Sequence, residues 1–77
     1  SMPAPARPRK LTFKERRELE QLTADIDALT AEKNSLDELF SSGNTIDNVA
    51  ELLVRYTQIK NELDEKELRW LELSELE

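Results

Sequence analysis

At 77 residues, with 11 basic and 17 acidic side chains, one glycine and three prolines, the chain has half an ordinary domain's length and the charge density of long solvated helices. Its aromatic residues are Phe13, Phe40, Tyr56 and Trp70, and a dozen large apolar side chains at roughly 1.5 to 3 kcal/mol each barely offset chain ordering, so stability has to come from a regular seam. The absence of cysteine and histidine excludes zinc sites, disulfides and histidine-dependent catalysis, and a lone glycine excludes a phosphate-cradling loop.

Residues 1 to 10 read as an expression remnant, Ser1-Met2, followed by a basic linker in which Pro3, Pro5 and Pro8 keep the backbone extended. The expectation is a segment joined to something upstream. Residues 1 to 17 hold six basic side chains against Glu15 alone, a formal +5, whereas residues 18 to 77 hold 5 basic and 16 acidic ones, a formal −11. A basic arm on an acidic body marks a segment that meets a polyanion, with a solubilising linker as the bland alternative.

Thr12-Phe13-Lys14-Glu15 has the form of a capping box, so the first helix is predicted to start at Phe13 and run to about residue 40. Leu19, Leu22, Ile26, Leu29, Lys33, Leu36 and Phe40 alternate by three and four residues and form one stripe. A stripe of that period drifts round a straight helix unless a partner helix supercoils with it. Lys33 breaks the apolar run; its stem can lie along the seam while the ammonium reaches solvent or an acid.

Residues 41 to 45, Ser-Ser-Gly-Asn-Thr, punctuate the chain, with Gly43 suited to the left-handed conformation that ends helices. A second helix is predicted over about 46 to 76, its stripe formed by Val49, Leu52, Tyr56, Ile59, Leu63, Lys66, Trp70 and Leu73. Glu51/Arg55, Glu62/Lys66 and Glu65/Arg69 have the i,i+4 spacing of pairs along one helix. A short connection makes the helices antiparallel neighbours, so the predicted fold is all-α, two long helices in an antiparallel coiled-coil hairpin over residues 11 to 77. Counting outward from Gly43 sets Phe40 against Ile46 and Val49, Leu22 against Leu63 and Leu19 near Lys66. Leu11, Phe13, Trp70 and Leu73 are predicted to close the open end as a latch.

Arg9-Lys10-Leu11-Thr12-Phe13-Lys14-Glu15-Arg16-Arg17-Glu18-Leu19-Glu20 resembles the opening of the C-terminal coiled-coil domain of ABC-F family ATPases of the Uup type, and Arg69-Trp70-Leu71-Glu72-Leu73 is similar to that domain's close. The resemblance implies the tail of a cytoplasmic protein with two ATP-binding cassettes upstream. It implies nucleic-acid work too, on DNA or on ribosomal RNA, and it carries over to the basic opening positions Arg9, Lys10, Lys14 and Arg17. Arg16 departs from the family pattern by adding a charge, while the acidic body departs from a surface that binds nucleic acid along its length.

From the residues themselves the expected function is a binding module whose basic base, Arg9, Lys10, Lys14, Arg16 and Arg17, meets phosphates without reading sequence. The alternative is a structural element that docks on a protein or on a second copy through Leu68, Leu71 and Leu76, which lie off the stripe. Neither reading calls for a cofactor, a metal or a membrane. A two-helix hairpin has no enclosed pocket in which to tune a catalytic carboxylate, so no catalytic residues are assigned.

Overall fold

The computed structural model describes residues 10–76. The expected linker, apart from Lys10, lies outside the described residues. Two helices, α1 over Phe13–Ser41 and α2 over Val49–Ser74, pack against each other as an antiparallel hairpin with extents of 64 × 25 × 16 Å.

The capping box forms as the sequence predicts. The Glu15 amide donates to Thr12 Oγ1 at 3.1 Å and the Thr12 amide donates to Glu15 Oε1 at 3.0 Å, which satisfies two of the amides that a helix start leaves without partners. At the far end Gly43 has φ +76°, the left-handed conformation that an L side chain resists. Ser42 bridges helix and turn, its hydroxyl donating to Leu39 O at 2.8 Å and accepting from the Asn44 amide at 3.1 Å.

The connection is longer than the sequence suggests. Residues 44–46 stay non-helical, Asp47 and Asn48 form a further turn, and α2 begins at Val49. Asp and Asn are residue types that favour turns, and Asn48 caps α2 by position, without a side-chain bond to the helix start.

The longer connection moves the register. Leu19 and Leu22 cluster with Leu11 and Leu73 at the open end, with Leu76 packed alongside. Leu63 instead joins Leu29, Leu36 and Ile59 in a second cluster, flanked by Ile26, Phe40, Leu52 and Tyr56. Leu22 therefore does not face Leu63, and Leu19 meets Leu73 rather than Lys66. Phe40 packs edge-on against Tyr56, with ring centroids 5.6 Å apart, while Val49 stays exposed.

The latch closes on aliphatic side chains alone. Leu11 and Leu73 are buried in it, but Phe13 is 77% exposed and Trp70 turns its Nε1 toward Thr23 Oγ1 at 3.1 Å. Phe13 precedes Leu19 by six residues, about 240° round the helix from the stripe, so it cannot share the buried face. No helix among the described residues is long and apolar enough to cross a membrane.

Candidate nucleic-acid interface

The open end of the hairpin carries the basic residues. Leu11 is buried in the cluster with Leu19, Leu22 and Leu73, which ties the start of the chain to the last turns of α2. The capping box then sets the direction of α1, and Lys10, Lys14, Arg16 and Arg17 are all exposed around that anchored start. Arg17 holds its guanidinium carbon 5.9 Å from the centroid of the Phe13 ring. Arg16 borders an open depression with Leu19, Glu20, Thr23, Trp70 and Ser74. Arg9 lies outside the described residues.

The cations of the body are arranged differently. Arg69 donates from Nε and Nη2 to the two carboxylate oxygens of Glu18, at 2.8 and 3.0 Å, and from Nη1 to Glu72 at 3.1 Å. Arg55 grips Glu32 in the same two-pronged way, at 2.7 Å for both bonds. Lys66 reaches Asp25 at 3.3 Å, and Lys33 reaches Asp37 at 3.0 Å while lying over the Tyr56 ring. Among the described residues these four cations make the ion pairs within 4.0 Å, and Lys10, Lys14, Arg16 and Arg17 make none.

Three of these cations were expected to pair along α2 with Glu51, Glu62 and Glu65. Instead Arg55, Lys66 and Arg69 cross the seam. The reason is legible afterwards in the spacing: Glu18, Asp25 and Glu32 recur every seven residues on α1, as Arg55, Glu62 and Arg69 do on α2. Positions flanking an apolar seam face one another across it. At the middle layer Glu62 supplies no positive charge, and Lys66, one turn on, serves Asp25.

These contacts shift the titrations. The hydrogen bond from Arg69 holds the Glu18 carboxyl below its ordinary value, and that from Arg55 does the same for Glu32. Asp25 is lowered by Gln21 first and by Lys66 after it, and Asp37 by the Tyr56 hydroxyl and then by Lys33. Arg55, Arg69 and Lys33 are correspondingly raised by their carboxylate partners Glu32, Glu18 and Asp37. Four of the body's five cations are thus paired internally, the fifth, Lys60, is exposed with its ammonium 5.9 Å from the centroid of the Tyr56 ring, and the surplus of acid faces water. The base of the hairpin keeps exposed positive charge.

The leucines of the protein-contact reading are separated by the structure. Leu68 and Leu71 are 61% and 52% exposed on α2, whereas Leu76 is half-buried against the base cluster. Leu71 borders an open apolar groove with Thr23, Ile26, Asp27, Glu67 and Trp70. Among the described residues no group of acidic side chains could hold a metal ion.

Compared with known proteins, residues 10–75 match the family model described as ABC transporter C-terminal domain. No curated protein and no solved structure matches the chain.

Proposed function

The chain belongs to the ABC transporter C-terminal domain family, and on that premise we propose that it is a non-catalytic module of an ABC-F type, cytoplasmic ATP-binding protein whose basic base binds DNA or RNA phosphates without reading sequence. The observation that carries this reading is the division of its cations. Four of the body's five cations are spent on Glu18, Asp25, Glu32 and Asp37, with Lys60 alone of the five making no ion pair among the described residues, while Lys10, Lys14, Arg16 and Arg17 stand exposed together around an anchored helix start.

The division also fixes how a polyanion approaches. The body beyond residue 17 carries a formal −11 and repels phosphates along its length, so contact is confined to the end of the rod.

The test compares this chain with a variant in which Arg9, Lys10, Lys14, Arg16 and Arg17 become glutamine, using fluorescence anisotropy of labelled DNA and RNA at about 50 mM salt. Binding by the unchanged chain and its loss in the variant is the expected result. Equal binding by the two, or none by either, refutes the reading.

A second reading rests on the apolar groove and the exposed leucines beside it: the hairpin docks on a protein or on another copy of itself through α2. Replacing Leu68 and Leu71 by asparagine then lowers the sedimentation mass or abolishes partner binding. An unchanged mass and unchanged binding remove it.

A further inference from the structure

We infer that Phe13 is a stacking platform for an unpaired base, which makes single-stranded nucleic acid the ligand class of the basic base; the inference rests on the phosphate-binding reading above. Of the four aromatic residues in the chain, Phe40 and Tyr56 pack on each other, and Trp70 bonds to Thr23. Phe13 has neither kind of partner. It is 77% exposed on the first turn of α1, outside both buried clusters.

An exposed phenylalanine alone is an ordinary surface feature, but its neighbours here select a ligand. Arg16 and Arg17 follow it by three and four residues, which puts both on its face of the helix at roughly 5 to 6 Å between Cβ atoms. Lys14 is adjacent, Lys10 precedes the capping box, and all four cations are exposed. The Arg17 guanidinium already lies within cation–π range of the ring, yet most of the ring remains open.

A nucleotide presents this same combination of charges and flat surface within one residue. Its phosphates suit Arg16, Arg17 and the lysines, and an unstacked base suits the open face of Phe13. A base inside a duplex is already stacked and paired, so the ring gains nothing from it without opening the helix. Stacking is tolerant of sequence because every base has a π face, which agrees with a base that does not read sequence. The ribose 2′-hydroxyl has no dedicated partner in this scheme, so DNA and RNA single strands share the chemistry.

The experiment measures the anisotropy of labelled oligothymidylate, oligouridylate, an abasic oligonucleotide of equal length and a blunt duplex, with the unchanged chain, Phe13→Ala and Phe13→Trp. Phe13 lies outside the buried clusters, and circular dichroism checks that each variant keeps its helices. Phe13→Ala is expected to weaken single-strand binding roughly 5- to 150-fold, the factor for one base–aromatic stack. It should leave duplex binding, abasic binding and the salt slope unchanged, and Phe13→Trp should retain the affinity. If Phe13→Ala binds single strands as tightly as the unchanged chain, or loses duplex and abasic binding by the same factor, stacking is overturned and phosphate binding stands. If the unchanged chain binds none of the probes, both readings fall together.

Discussion

Ile59→Ala is the sharpest perturbation of the hairpin. Ile59 is 0% exposed, and its cluster with Leu29, Leu36 and Leu63 forms the middle of the seam. The substitution removes three carbons, about 2.4 kcal/mol of transfer free energy at about 0.8 kcal/mol per methylene. A residual cavity adds to this, although a two-helix seam can relax inward more readily than a closed core, which sets the expectation at about 3 kcal/mol. At roughly 0.05 to 0.15 kcal/mol per residue the whole hairpin has about 3 to 10 kcal/mol, so the variant loses a third of its stability or more. Leu53→Ala removes as many carbons from a side chain that is 49% exposed and should cost about 1 kcal/mol or less. Urea unfolding followed by circular dichroism reads both as shifts of the midpoint at unchanged slope. Equal shifts for the two variants would mean that Leu53 is covered in solution or that Ile59 is not, contrary to this packing.

Other consequences can be measured on the same unfolding curves. Glu18 and Glu32 have folded pKa values below their ordinary 4.5, so their contribution is present above that value and is lost as pH falls through the lowered one. The midpoint gap between the unchanged chain and Glu18→Gln/Glu32→Gln should therefore hold above about pH 5 and close on acidification, and a gap that persists in strong acid would contradict the cross-seam pairing. Gly43→Ala should destabilise by roughly 1 kcal/mol, since φ is +76° and nothing lies within 4 Å of the new methyl group, so the cost is that of the backbone alone. Gly43→Asn should cost less, and equal stability of all three chains would show that the turn does not require the left-handed conformation.

The seam was legible because its signals are local and periodic. Three-and-four spacing marks Leu19, Leu22, Leu29 and Leu36 as the buried face of α1, and Thr12 with Glu15 marks its start, without reference to the other helix. Register is another matter, since it depends on how many residues the connection consumes. Asp47 and Asn48 extend the turn to Val49, and that lengthening carries Leu19 to Leu73. The cross-seam pairs of Arg55 and Arg69 were hidden for a related reason. An i,i+4 acid on the same helix can be seen in one segment, whereas a partner across the seam is visible only once both heptads are aligned.

At the candidate site, the sequence yields the basic cluster and its division from the acidic body. It misplaced Phe13, because an aromatic beside a buried Leu11 looks like part of a latch until helical phase is applied from Leu19. Its exposure, and the proximity of Arg17 to its ring, follow from where α1 starts and which face it buries.

Whether the base of the hairpin binds by phosphate contact is decided by the salt dependence of the anisotropy titration with a short single strand. Five phosphate contacts predict a log–log slope of about −4.5, hence roughly 500-fold weaker binding at about 200 mM than at about 50 mM salt, and a nearly flat response once the five basic residues are glutamine. A slope near zero for the unchanged chain, or the same steep slope for both, would contradict phosphate contact.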